Sequence, residues 1–233
     1  FNNSQVKLID NKESRLVDDL KAEISKKSKL AIAAAYFSIY AYNDLKKQLD
    51  SIDELRFIFT QPTFLNQQNS KEQREFFIPR MERERNLYGT DFELRLRNKL
   101  TQKAISKECA EWVRAKVKFK SNRTNRPMQQ FINIDNKYTY TGITGFTTTD
   151  LGTEKGNNLG FFINRLEADA SRQYLNMFNE IWNDAEQLED VKAKILENIE
   201  TVYAENSPEF IYMITLYNIF KEFLNDITDD VLP

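Results

Sequence analysis

Lys116, Lys118 and Lys120 alternate with Val117 and Phe119, and Arg123 and Arg126 follow with no acidic residue among them. If this stretch is a strand, the three lysines share one face and the two apolar residues turn inward. A row of ammonium groups so placed can neutralise successive phosphates of a DNA or RNA backbone. It can equally keep a solvated sheet edge from aggregating. Residues 80–126 as a whole hold fourteen Lys or Arg against six acids, and residues 167–233 hold four against fifteen. The net charge of −2 therefore hides a basic middle beside an acidic end, a pattern expected of a polyanion-facing surface and a separate solvated one. Arg80, Arg83, Arg85, Arg95 and Arg97 alternate with Glu82, Glu84 and Glu93, which reads as a salt-bridged helical surface.

Other chemistry is limited by what is missing. The chain has no histidine and one cysteine, Cys109, which excludes zinc fingers, disulfide frameworks, Cys-His dyads and Ser-His-Asp triads. Cys109 stands beside Glu108 and Glu111, which disfavour a thiolate, so it reads as structural. Asp135, Glu154 and Lys155 are the one set that resembles a metal nuclease arrangement, and this is a minor reading. No G-x-x-x-x-G-K-[ST] loop occurs. No apolar run approaches the roughly 20 residues that span a bilayer, so no membrane contact is expected and a reducing cytoplasm fits best. The chain begins at Phe1 without an initiator methionine and reads as a fragment of a longer polypeptide.

These residues need elements to hold them. Val6 to Ile9 is extended, and Leu16, Val17, Leu20 and Ile24 give residues 13–26 one apolar helical face. Residues 29–37 and 54–60 are short continuous apolar runs, the pattern of strands buried on both faces, with a helix near 40–49 between them. Residues 61–100 show little clean period and read as a long excursion with some helix, and 101–116 read as helix. Strands near 129–135 and 137–141 join through Asp135-Asn136, and residues 159–163 form a further buried strand. A helix over 167–184 follows, then helices only, with a boundary near 185. The last helix, announced by the capping residues of NSPE, is apolar on all sides and must pack on something.

Residues 128–135 read MQQFINID, and TGITGFTTTDLG follows at 141–152. The spacing resembles the His-x-Lys-x-x-x-x-Asp motif of the phospholipase D superfamily and its glycine-bearing turn. Met128 stands at the histidine position, Gln130 at the lysine position and Asp135 at the aspartate position. The phrases LAIAAAYFSIYA (30–41), ELRFIFTQPTF (54–64), the long run 84–114, GFTTTDLG (145–152) and ENSPEFIYMITLYNIF (205–220) make the chain similar, over nearly its whole length, to bacterial Swi/Snf-type or DEAD/DEAH-box helicases with an N-terminal phospholipase D-like domain.

The resemblance implies an α/β fold: a phospholipase D-like mixed sheet flanked by helices over residues 1–185, then a C-terminal all-helical connector over 186–233 leading to a helicase core. It implies ATP and magnesium only for that core and no cofactor in this chain. Phospholipase D-type catalysis needs a histidine nucleophile, a histidine acid and lysines. Neither Met128 nor Gln130 supplies these, so no catalytic residue is expected. The expectation is a non-catalytic module that binds DNA or RNA backbone through Lys116, Lys118, Lys120, Arg123 and Arg126, with the helicase core of the same polypeptide and a second copy as further partners. The rivals are a protein-interaction or dimerisation domain and a metal-dependent nuclease.

Overall fold

The computed structural model describes residues 6–61, 91–124, 126–154 and 162–204, with the side chains of 91–100, 202 and 204 left aside. The elements are β1 (Lys7–Ile9), α1 (Leu16–Glu23), β2 (Lys29–Ala34), β3 (Tyr36–Phe37), α2 (Ile39–Leu49), β4 (Glu54–Phe59), α3 (Asp91–Lys116), β5 (Val117–Asn122), β6 (Phe131–Ile134), β7 (Tyr138–Thr141), β8 (Gly145–Phe146), α4 (Thr148–Leu151), β9 (Ile163–Glu167), α5 (Ala168–Trp182), β10 (Leu188–Asp190) and α6 (Lys192–Ala204).

Eight strands form one mixed sheet in the order β1-β9-β7-β6-β2-β4-β5-β10. Strands β2, β4 and β5 run parallel, and β6, β7, β9 and β1 extend the sheet antiparallel on one side. The unbroken apolar run of β2 follows from cover on both faces. Leu30, Ile32 and Ala34 enter the larger core with residues of α1, α2 and α3, and Ala31 and Ala33 enter the smaller core under α5. Small side chains on the second face admit Phe178 and Trp182 of α5, which stack at 5.5 Å. At the carboxyl end of the parallel strands Phe37, Phe57, Phe119 and Phe146 pack edge-on or stacked at 5.2–5.8 Å. Each such pair adds about 0.5–1.5 kcal/mol beyond the burial of its area. That cluster fixes the strand ends.

The observed elements match most of the expected ones, with four differences. The helix expected over 101–116 begins at Asp91. The apolar run 29–37 is two strands, broken at Ala35 where the chain leaves the main sheet to pair β3 with β8. The strand expected at 159–163 lies at 163–167 instead, with Phe162 exposed and 159–161 outside the described residues. Its polar sequence, Ile-Asn-Arg-Leu-Glu, concealed it, because Arg165 is held by acids and not by apolar cover. Beyond 185 the expected run of helices begins with a strand: β10 pairs antiparallel with β5, and Val191, Ile195 and Ile199 join the larger core. The aromatic helix expected after NSPE and the region 62–90 lie outside the described residues.

Candidate functional site

Parallel strands expose their ligand-binding loops at the carboxyl ends. Here Ala34, Phe59 and Asn122 end β2, β4 and β5 at the edge where β6 begins, so Met128 and Gln130 stand at that edge. The loop 142–147 is stitched over it: Ala35 N–H donates to Thr144 O (3.0 Å) and Ser38 N–H to Phe146 O (3.0 Å). Asp150 holds the loop from within, accepting from Thr144 N (2.9 Å), Gly145 N (3.0 Å) and Thr147 Oγ1 (2.7 Å). Gly145 meets Tyr36 so closely that a β-carbon there would lie 2.9 Å from Tyr36 Cβ. The segment that resembles the phospholipase D turn is thus shaped by packing and one carboxylate.

The motif positions do structural work. The amide of Gln130 lies 3.4 Å from Thr60 Oγ1, and with its nitrogen turned to the loop it donates to Ile143 O (2.9 Å) and Thr144 O (3.2 Å). A neutral amide suits those carbonyls. Met128 packs against the core under α5. Asp135 is at the opposite end of β6, in the turn to β7, where Asp135 and Asn136 both have positive φ (52° and 61°), as a type I′ turn requires. Its carboxylate accepts from Ser28 Oγ (2.5 Å) and Lys29 N (2.7 Å), tying the turn to the start of β2. Glu154 follows α4 at the other end of the sheet and accepts from Thr148 Oγ1 (3.2 Å), and Lys155 lies outside the described residues. The acids of the nuclease reading are therefore not brought together. Asn133 is buried in a network with Thr139 Oγ1 (2.8 Å) and Ser171 Oγ (3.0 Å).

The five cations divide. Lys116 is the last residue of α3, not part of the strand, and its ammonium donates to Asp50 O (2.6 Å) and Ile52 O (2.7 Å) beyond α2. Lys118 and Lys120 share a face of β5, with Val117 and Phe119 buried on the other. Lys118 pairs with Glu54. Lys120 donates to Trp182 O (2.7 Å) and lies 4.8 Å from the centre of its ring. Arg123 and Arg126 are exposed and make no ion pair among the described residues. The loop that carries them is built on Asn122, whose side chain is 1% exposed. Its amide nitrogen donates to Thr60 O and Arg126 O (both 3.0 Å), and its oxygen accepts from Thr124 N (2.9 Å) and Thr124 Oγ1 (2.8 Å). The anchor was missed in the sequence, where Asn122 looks like one more polar loop residue.

An ionic cluster on the α1 face also escaped the sequence. Asp19, 8% exposed, accepts from Tyr140 Oη (2.9 Å), Arg165 Nη1 (3.1 Å) and Lys7 Nζ, and Arg165 also binds Glu23 (3.0 Å) and Glu167 (2.6 Å). Burial alone would raise the Asp19 carboxyl, but the hydrogen bonds from Lys7, Tyr140 and Arg165 outweigh it and hold it below the usual carboxylate range. Burial, then Asp19, pushes the Tyr140 phenol well up. Cys109 is fully buried, and burial itself, not the neighbouring glutamates, raises its thiol. Among the described residues no three His, Cys, Asp or Glu side chains gather as a metal site.

No protein-family model matches the sequence, and no curated protein does. Among solved structures the chain is similar to phosphatidylserine synthase from Haemophilus influenzae Rd KW20, with a TM-score of 0.42 and 15% identity. The match covers 96% of this chain and 46% of that one, so this chain spans about half the length of the synthase. No helix among the described residues is long and apolar enough to cross a membrane.

Proposed function

We propose that the chain is a non-catalytic nucleic-acid-binding or targeting module of a larger, ATP-dependent helicase-like protein, with a phospholipase D-like sheet whose catalytic positions have become structural. The observation that carries this is the placement of residues 122–124 and 126: Asn122 ties them to the carboxyl ends of the parallel strands, with Arg123 and Arg126 in solvent and without acidic partners among the described residues. Guanidinium groups so placed fit phosphate oxygens. Nearby, Gln130 and Met128 offer neither nucleophile nor titratable group. Lys118 and Lys120 contribute less to binding in this reading, since each already has a protein partner. ATP and magnesium belong to the helicase core and not to these residues.

The test is a salt series of anisotropy titrations with labelled DNA and RNA, comparing the native chain with Arg123→Gln/Arg126→Gln. Each lost phosphate contact flattens the log-log salt slope by about 0.9 on duplex DNA, so the double variant should lose about 2. A slope unchanged in that variant overturns the assignment.

A second reading, dimerisation with another copy, is favoured by the sheet edge at β1. Val6, Leu8 and Phe162 are 52%, 57% and 56% exposed there, and among the described residues β1 has a sheet partner on one side only. Sedimentation equilibrium of the native chain and of Leu8→Lys distinguishes it: a dimer lost in the variant supports this reading, and a monomer in both removes it.

A further inference from the structure

We infer that the amino-terminal end of the parallel strands is a second phosphate-contacting surface, formed by Lys26, Lys27 and Lys137 on two loops locked to each other and by Lys29 at the start of β2. The inference rests on the nucleic-acid reading above and assigns it residues at the end of the sheet opposite Arg123 and Arg126. Nothing in the linear sequence joins Lys137 to the other three.

The two loops are held by hydrogen bonds that leave the lysine side chains out. Ser28 Oγ donates to Asp135 (2.5 Å), Lys29 N–H donates to the same carboxylate (2.7 Å), and Asp135 N–H returns to Lys29 O (3.0 Å). Lys27 takes a left-handed backbone (φ 68°), its N–H fixed on Ser51 O (2.9 Å), and Ser25 N–H is bound by Ser28 Oγ (3.0 Å). Ser28 is 2% exposed, whereas all four lysines are exposed. None of the four makes an ion pair among the described residues, unlike Lys7, Lys46 and Lys118.

Nearby acids weaken the patch without cancelling it. Asp135 has both oxygens engaged, Asp53 is exposed beside Ser28, and Glu54, in register with Lys29, is taken by Lys118 and Arg56. Four lysines against Asp53 and Asp135 leave a balance of +2. The backbone beneath is already ordered, so on the protein side binding a phosphate chain here orders lysine side chains and no loop. Residues 25–29 and 135–137 carry no apolar side chain to insert into a bilayer, which favours a nucleic-acid backbone over a lipid surface.

The experiment compares the native 233-residue chain with Lys26→Gln/Lys27→Asn/Lys29→Gln/Lys137→Gln, in duplex-DNA anisotropy titrations across a salt series. Asparagine is chosen at 27 because it tolerates the left-handed backbone. The expected result is a salt slope flattened by about 3.6, with the thermal transition unchanged. Should the fourfold variant unfold, Lys26→Gln/Lys137→Gln, which spares the strained and the strand positions, must flatten the slope by about 2. Binding by the native chain with the same slope in the folded lysine variants overturns this surface and leaves the Arg123/Arg126 reading standing. No nucleic-acid binding by the native chain overturns both. Loss of binding to phosphatidylserine vesicles or polyglutamate, with the DNA slope unchanged, also overturns the inference.

Discussion

Asn122→Ala tests whether the arginine loop is preorganised by the fold. The side chain makes four hydrogen bonds, two donated to Thr60 O and Arg126 O and two accepted from Thr124. A typical intramolecular bond contributes about 1 kcal/mol net, and an orphaned buried acceptor costs about 1–3 kcal/mol. The Thr124 and Arg126 groups lie in an exposed loop and regain water, whereas Thr60 is 5% exposed and its carbonyl does not. The expected loss is about 2–4 kcal/mol. Urea unfolding followed by the fluorescence of Trp112 and Trp182 reads it as a midpoint lowered by about 1 M at an unchanged m, for an m of about 2–3 kcal/mol/M. Oligonucleotide affinity should fall as well, at urea-free conditions where the variant is folded, because Arg123 and Arg126 lose their fixed position. Asn122→Asp sharpens the test: it keeps the shape but turns an oxygen toward the two carbonyls, so it should be at least as harmful at neutral pH. Native-like stability and affinity in Asn122→Ala would refute the reasoning.

Arg165→Met should cost about 3–5 kcal/mol, since it leaves Asp19 buried against Tyr140 with only Lys7 as counter-charge, and urea midpoints measure it. The folded Asp19 carboxyl is held low, so its stabilisation is complete above the unfolded carboxylate value and is lost as pH falls through the folded one; Asp19→Asn should remove that part of the acid slope. Asp135→Ala should cost about 2–3 kcal/mol through the lost Ser28 and Lys29 contacts and the left-handed backbone. Asp135→Asn should cost less, and neither should alter plasmid integrity in magnesium; cleavage by the native chain that vanishes in Asp135→Asn would restore the nuclease reading. Cys109 should resist a thiol reagent in the native chain and react at once in denaturant, as its burial requires.

The apolar runs of β2 and β4 were legible because cover on both faces removes every polar position, a demand that acts residue by residue. The Asp135-Asn136 hairpin was legible for a similar reason, since few L-residues accept a left-handed backbone. Strand β9 was misplaced by several residues because its inward Arg165 is satisfied by ions, and hydrophobic periodicity does not register an ion-paired core position. β10 was not foreseen, since a three-residue edge strand carries almost no pattern of its own and is defined by its partner β5.

The sequence alone determined that these 233 residues supply no histidine to phosphoryl transfer, because no fold creates an imidazole, and that the apolar face of β5 turns inward, because alternation is a property of the strand itself. Which lysines remain free was decided only in three dimensions. Lys116, Lys118 and Lys120 look equivalent along the chain, yet their partners are carbonyls near residue 50, Glu54 and Trp182. Alternation says which way a side chain points; what waits there is set by elements more than 60 residues away, joined only when the sheet forms.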